Sequence, residues 1–519
     1  MASNVDVSLG SWFARRAALS PNRRALTFEG TTRTYAQLLD RVDRLAAGLR
    51  AGGVCHGDRV GFLGLNQPAF FETMLAAARL GASFVPLNFR LTGPELAYII
   101  GDAGIHTLVV DDAHRAVADS MRPDVPVRRY LGADDGVADG WEPLEGVIAG
   151  HRRISATEPI GADEVALIMY TSGTTGRPKG AMLTHGNLWW NNVNALHTLD
   201  ILQDDVTLVV APLFHIGGLN VTTLVTWQRG GEVVLHRSFE PGACLEAIAS
   251  HGVTTMFGVP AMLMFMSQHP GFGEADLTSL RMVVCGGAPV PEALIKIYNG
   301  VGVPINQGYG LTETAPLVTF LTPEFALAKV GSAGQAPLFT EVRLAGPGGG
   351  EAAETLARGE VCVRGPNVMK GYWNQPEATA AAIDGEGWFH TGDLGYVDED
   401  GFLYIVDRVK DMVLTGGENV YPAEVEGALF HHPAVADVAV VGVPDERWGE
   451  AVVAVAVPKE NASLTLEDLR DVAGRSLARY KLPTRLEVVD ALPRNPAGKV
   501  LKFELRAKLG AHQRGEGAE

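Results

Sequence analysis

Ten consecutive residues, Thr171-Ser172-Gly173-Thr174-Thr175-Gly176-Arg177-Pro178-Lys179-Gly180, hold three glycines, four Ser or Thr hydroxyls and one lysine behind a proline. Glycines let a backbone curl and expose its N–H groups, hydroxyls add donors, and Lys179 adds a mobile positive charge. That combination makes a concave anion site suited to a polyphosphate. The spacing is not that of the common Gly-x4-Gly-Lys-Ser/Thr loop, so the phosphates would be held by a hairpin and not by a helix N-terminus. The alternative, an ordinary Gly/Ser/Thr surface turn, is the lesser reading for a string this particular.

Other chemistry-bearing residues stand where strands are expected to end. Tyr309-Gly310-Leu311-Thr312-Glu313 brings a carboxylate to a glycine-lined strand end. A polyphosphate needs a divalent cation, and Glu313 is a natural oxygen ligand for Mg²⁺; alone, the Thr312–Glu313 pair reads as well as a helix-start cap. Gly392-Asp393 could accept from both hydroxyls of a ribose and Arg408 could act on the same sugar, or these are an ordinary Asp turn and a solvated arginine. Gly416-Gly417 leaves backbone bare beside a narrow ligand arm, or is a simple turn. Lys499, on the Pro/Gly loop Pro493–Lys499, could approach a developing negative charge, or is surface charge. His215, between Phe214 and Gly217-Gly218, is a turn histidine or a gate beside a substrate pocket. No Gly-x-Ser-x-Gly surrounds a candidate serine, which argues against a Ser/His/Asp hydrolase.

The elements that must position these residues are strands alternating with helices. Val165–Met169 and Ala181–Thr184 read as strands flanking the opening loop, and Val60–Gly64, Ala82–Leu87, Thr107–Val110, Val206–Pro212, Glu232–Leu235, Thr254–Phe257 and Arg281–Val284 as further strands. Helices are expected over residues 34–52, 69–80, 95–102, 241–250 and 291–299. Residues 113–160 are weakly patterned and read as a peripheral connection. The alternation predicts layered parallel α/β structure, in which ligands bind at strand ends. Residues 330–407 shift to short strands with Gly turns, a β-rich subdomain. Beyond a boundary near Asp407, helices 422–431 and 466–477 and strands 435–443 and 451–457 make a small α+β domain. The expected division is therefore 1–407 and 408–519.

With 519 residues, the chain is too long for one core. Its 43 basic and 60 acidic residues give a net charge of −17, which argues against nucleic acid as the main partner. The four cysteines show no metal-ligand spacing and are expected to be reduced. No leader-like run opens the sequence and no stretch of about twenty apolar residues occurs, so a cytoplasmic location with at most peripheral membrane contact is expected.

As an ordered set, from Thr34-Tyr35 to Lys499, these motifs resemble the adenylate-forming enzymes: acyl-CoA synthetases, aryl-CoA ligases, firefly luciferase and peptide-synthetase adenylation domains. Through Thr415-Gly416-Gly417-Glu418-Asn419-Val420-Tyr421-Pro422-Ala423-Glu424 the chain looks most like bacterial fatty-acyl-CoA synthetases, with Thr415 where many relatives carry serine. The resemblance implies two half-reactions: a carboxylate attacks the α-phosphate of ATP to give acyl-AMP, and the thiol of coenzyme A then displaces AMP. It implies that Thr171 to Lys179 hold the phosphates, with Thr174 and Glu313 at Mg²⁺. Gly287, Ala288, Gln307, Gly308 and Tyr309 would line the adenine, Thr312 would lie near the α-phosphate, and Asp393 and Arg408 would bind ribose. Lys499 would contact the α-phosphate and the carboxylate. Lys410 would be the pivot of a mobile C-terminal domain that exchanges Lys499 for Gly416 and Gly417, which line the thiol tunnel. The expected substrate is a medium- or long-chain fatty acid, with Pro212–Leu219 and the Met-rich 259–266 flanking it or simply packing the core. Aryl or cinnamate-type acids stay open. So do an acyl carrier protein as acceptor, though coenzyme A is favoured, and a homodimer.

Overall fold

A computed structural model describes residues 6–134, 136, 139–154, 159–171, 178–346, 357–408, 411–415, 418–445, 449–460, 462–475, 477, 479–494 and 500–513. The chain divides into two compact units. One is Met1–Arg343 with Cys362–His390 and Gly401–Leu403; the other is Leu344–Val361, Thr391–Asp400 and Tyr404–Glu519.

The first unit holds two eight-stranded sheets. In spatial order the first runs Leu317–Leu321, Ile305–Gly310, Met282–Gly286, Thr255–Gly258, Val206–Val209, Glu232–Leu235, Arg24–Phe28, Thr31–Thr34. Its neighbours are parallel except for the pair at each edge. The second runs Gly371–Tyr372, Lys179–Thr184, Val165–Thr171, Ser83–Leu87, Arg59–Leu63, Thr107–Val110, Arg129–Gly132, Glu142–Pro143. Here only the two pairs made by Lys179–Thr184 are antiparallel. Parallel strands must be covered on both faces, and Ser83–Leu87, Thr107–Val110 and Met282–Gly286 are buried along their whole length. Tyr35–Ala51 starts at a capping box in which Thr34 accepts from Gln37 N–H and the Gln37 side chain accepts from Thr34 N–H.

Between Glu341 and Arg408 the expected short strands appear as Glu341–Ala345, Gly359–Arg364, Phe389–Val397 and Leu403–Arg408, in a sheet of their own. In the second unit, Val435–Asp445 and Gly449–Pro458 form an antiparallel hairpin with Arg485–Val488 parallel beside it. Alternate residues of the hairpin feed two cores. Val438, Val440, Val452 and Ala454 pack with Val425, Leu429 and Leu469, and Ala439, Val441, Val453 and Val455 pack with Leu505 and Leu509. The molecule is thus α/β, with a large N-terminal part and a smaller α+β C-terminal part.

Several expectations are corrected. Residues 113–160 are not an unpatterned connection: helices Arg115–Met121 and Leu144–Gly150 and strands Arg129–Gly132 and Glu142–Pro143 complete one sheet edge. Their order comes from tertiary contacts that periodicity does not reveal. The Arg122 guanidinium lies 4.0 Å from the Tyr130 ring centre and 4.7 Å from that of Trp141, and Trp141 Nε1 donates to Asp119. The strand expected to reach Pro212 stops at Val209, and helices Ile216–Asn220 and Thr223–Arg229 follow where only a strand-end loop was read. Helix Leu466–Ala473 ends four residues before the expected Leu477.

Candidate active site

Strands Val165–Thr171 and Lys179–Thr184 form the expected hairpin, with Thr171 directly opposite Lys179. Ser172, Gly173, Thr174, Thr175 and Gly176, between them, lie outside the described residues, so the structure describes the two posts of the expected phosphate loop and not its span. Against the outer edge of the hairpin pairs the short strand Gly371–Tyr372, with Tyr372 opposite Ala181. The Lys179 ammonium lies 5.1 Å from the centre of the Tyr372 ring. The Tyr372 hydroxyl donates to Glu313 Oε1 at 3.0 Å, and Thr171 Oγ1 approaches the same oxygen at 3.4 Å. Glu313 is therefore a buried carboxylate met by neutral hydroxyls. Burial, and then the charge of Glu313, hold the Tyr372 hydroxyl protonated far above the ordinary tyrosine range.

Glu313 sits in a single turn, Thr312–Thr314, between Ile305–Gly310 and Leu317–Leu321. Buried side-chain amides hold that turn. Asn191 Oδ1 accepts from Leu317 N–H and its Nδ2 donates to the Asn220 carbonyl. Asn220 Nδ2 donates to the Ala315 carbonyl at 2.6 Å. Asn367 Nδ2 donates to the Thr314 and Leu317 carbonyls at 2.9 and 2.8 Å. Gly310 permits the reversal, since a Cβ there would lie 1.7 Å from the Pro316 carbonyl oxygen.

The residues expected at adenine are brought together at adjacent parallel strand ends. Cys285 faces Gln307 and Gly286 faces Gly308 in register, and Gly287 and Ala288 follow as exposed residues. Gln307 Nε2 donates to the Ser332 carbonyl at 2.7 Å. Its Oε1 is buried and has no partner among the described residues. Tyr309 and Thr312 are half-buried on the same segment as Glu313.

His215 precedes Ile216–Asn220, its ring 4.3 Å from that of Phe214, and Phe214 in turn meets Phe89 edge-on. The residue keeps some exposed surface, but Nε2 is shut off from solvent and has no partner among the described residues. Burial, with the nearby Arg90 charge adding to it, pushes the imidazole down to about 4, so His215 is neutral at physiological pH. Gly217 next to it faces the Phe257 ring, and a Cβ there would lie 2.9 Å from Phe257 Cζ.

In the second unit Asp393 is buried on Phe389–Val397, its N–H donating to Thr391 Oγ1. Arg408 ends Leu403–Arg408, and its side chain lies outside the described residues, as do Lys410, Gly416, Gly417 and Lys499. The Lys499 loop is closed at its base, where Arg494 and Val500 form an antiparallel bridge and Leu501 N–H donates to the Pro493 carbonyl.

Sequence reasoning missed Tyr372 and the helix His185–Thr198 that carries Asn187, Asn191 and Asn194. The signal was there: asparagines at positions 187, 191 and 194 share one helix face. That face is buried, so it reads as solvent-facing to any rule that seeks apolar stripes.

Comparison with known proteins shows the family. The family model for AMP-binding enzymes matches residues 13–373, and that for the AMP-binding enzyme C-terminal domain matches 424–499. The chain is 48% identical over 502 residues to a feruloyl-CoA synthase of Amycolatopsis, covering 97% of this chain and 99% of that one. Among solved structures it resembles a Mycobacterium tuberculosis fatty acyl CoA synthetase, with TM-score 0.80 and 38% identity over 98% of this chain and 99% of the other. It also resembles the o-succinylbenzoate coenzyme A synthetase of Bacillus subtilis in complex with ATP and magnesium ion, with TM-score 0.84 and 35% identity over 95% and 98%. The chain belongs to the AMP-binding, adenylate-forming enzymes and is an acid–thiol ligase of the acyl- and aryl-CoA type.

Proposed function

We propose that this ligase activates an aromatic carboxylic acid of the cinnamate type, joining it to AMP and then to coenzyme A. The observation that carries the substrate class is the 48% identity to a feruloyl-CoA synthase along nearly the whole chain. The expected fatty-acid substrate is a second reading, favoured by the likeness to a fatty acyl CoA synthetase.

In this reading ATP lies across the strand ends, with Gly287, Ala288, Gln307, Gly308 and Tyr309 at adenine and Asp393 and Arg408 at ribose. Thr171 to Lys179 hold the phosphates. A buried carboxylate with hydroxyl neighbours is a hard oxygen donor set that fits Mg²⁺, and Glu313 with Thr174 would hold the ion. Bound there, Mg²⁺ neutralises phosphate charge. Thr312 orients the α-phosphate, neutral His215 lies beside the incoming acid, and Lys499 stabilises the charge developing as the carboxylate attacks the α-phosphate and pyrophosphate leaves. For the second step the small domain turns at Lys410, Lys499 withdraws, and Gly416 and Gly417 line the passage of the thiol.

The test is AMP release with ATP, Mg²⁺ and coenzyme A against ferulate, cinnamate, benzoate and saturated fatty acids. The expected result is a kcat/KM for the cinnamates about tenfold or more above any fatty acid, the scale of one well-filled apolar pocket. An optimum on the fatty ladder establishes the second reading. Acid-dependent pyrophosphate release without transfer to coenzyme A moves the acceptor to a carrier protein.

A further inference from the structure

Lys179 and Glu313 carry opposite charges and border the same aromatic ring. The ammonium sits 5.1 Å from the centre of Tyr372, while the phenol hydroxyl donates to the carboxylate at 3.0 Å. The ring is fixed from behind. Its strand pairs with Lys179–Thr184, and Tyr372 N–H donates to Thr379 Oγ1 at 2.8 Å, tying it to helix Pro376–Ala382. Thr379 Oγ1 in turn donates to the Gln375 carbonyl. Gly371 makes room for Thr379, since a Cβ there would lie 2.6 Å from Thr379 Cγ2. Trp373 N–H closes the far side on the Gly180 carbonyl at 2.7 Å. Tyr372 therefore belongs to the rigid sheet edge, and the two charged groups are arranged on it.

We infer that Tyr372 is a positioning residue for adenylation: its hydroxyl aims the Glu313 carboxylate at the divalent cation, and its ring holds the Lys179 ammonium off that carboxylate. This rests on the reading of Glu313 as metal ligand and Lys179 as phosphate ligand given above. The physical need is plain. A lysine and a glutamate at one site tend to pair with each other, and a paired site offers neither a cation for phosphate nor an anion for metal. An aromatic face attracts the ammonium without adding negative charge, and a phenol supplies a hydrogen bond without neutralising the carboxylate.

Tyr372→Phe removes one oxygen and keeps the ring; Tyr372→Leu removes both functions. The readouts are Mn²⁺ affinity, by electron paramagnetic resonance with an α,β-methylene ATP analogue, and affinity for that analogue in EDTA by calorimetry. Tyr372→Phe should weaken Mn²⁺ about tenfold, the scale of one hydrogen bond to a charged group, and leave metal-free analogue binding within about twofold. Tyr372→Leu should weaken Mn²⁺ as much and also weaken metal-free binding by about threefold or more, since Lys179 is released to pair with Glu313. Adding Glu313→Gln to Tyr372→Leu should restore the metal-free binding. Mn²⁺ affinity unchanged in Tyr372→Phe, or metal-free binding unchanged in Tyr372→Leu, overturns the inference. Glu313→Gln alone separates the two levels. If it weakens Mn²⁺ while Tyr372→Phe does not, only the tyrosine's role falls; if it leaves Mn²⁺ binding intact, the metal-ligand reading falls with it.

Discussion

Around Glu313 the first unit buries side-chain amides: Asn191, Asn220 and Asn367 hold one short turn by four hydrogen bonds, and a fifth ties Asn191 to the Asn220 carbonyl. The hairpin of the second unit buries valine and alanine on both faces and is paired strand to strand along its length, with one added backbone bond from Val440 N–H to Glu426 Oε1. The first arrangement fixes where a functional side chain points, because an amide must be placed to within a few tenths of an ångström to hydrogen-bond. The second fixes only a sheet, and leaves chemistry to the loops that leave it. In the proposed mechanism the first unit accordingly supplies the pre-set carboxylate and strand ends, and the second lends single residues such as Lys499.

The largest test of that division is Lys499→Ala. If the second unit contributes one charge to the transition state, acid-dependent pyrophosphate exchange should fall by about 10²–10³-fold while ATP affinity changes little. Equal losses in rate and affinity would mean that Lys499 is part of the ground-state nucleotide site, and the contrast between the units would fail. Asn367→Ala comes next. It strands the Thr314 and Leu317 carbonyls in a fully buried position and should cost about 3 kcal/mol in denaturant unfolding followed by first-unit tryptophans. Adenylation should fall with it, and transfer to coenzyme A from supplied acyl-adenylate should fall less. A loss below about 1 kcal/mol would show that the turn does not depend on its amides.

This same difference decided what was legible in the sequence. Valine and alanine over 435–443 and 451–457 gave the hairpin at its full length bar a residue or two, because strand burial writes itself as an apolar run. Glycine-rich strand ends marked the stretches holding Gly287, Gln307 and Glu313 as ligand-side loops, because ligands bind at the strand ends of parallel sheets. Helix His185–Thr198 went unread, since its buried face is asparagine and the information lies in backbone N–H and carbonyl groups more than a hundred residues away. Tyr372 was invisible for the same reason: what it does depends on Glu313 and Lys179, which no local rule connects to it. Its substrate remained open because an apolar pocket is written in residues that also pack cores, as Met262, Val259 and Phe257 do here.

His185 tests whether polar burial in the first unit carries a pH cost. Its Nδ1 accepts from Leu9 N–H, and burial lowers its pKa to about 4. The unfolded chain, with an ordinary histidine near 6.5, binds more protons between those values. Stability therefore declines as pH falls from about 6.5 toward about 4, and His215 acts in the same direction. His185→Asn should flatten that acid limb, removing about 3 kcal/mol of the pH dependence while leaving the neutral-pH mechanism intact. An unchanged slope would place the acid sensitivity elsewhere.

The smallest effect is expected at Thr415, the position where many relatives carry serine. Thr415 is buried on Val413–Thr415, opposite Glu418 in one pairing and Gly449 in the other. Because the second unit's sheet is held by strand pairing and apolar contact, losing the methyl should cost only what one buried CH₃ is worth, about 0.8 kcal/mol. Its hydroxyl survives in Thr415→Ser, so transfer of a supplied acyl-adenylate to coenzyme A should stay within about twofold of the parent. Thr415→Val keeps the volume and removes the hydroxyl, which makes it the sharper variant. If valine slows the coenzyme A step far more than serine does, the hydroxyl beside Gly416-Gly417 acts on the thiol passage. In that case even the second unit, read here as a scaffold for loops, carries a positioned polar group on a strand, and the contrast with the Glu313 turn narrows to one of number.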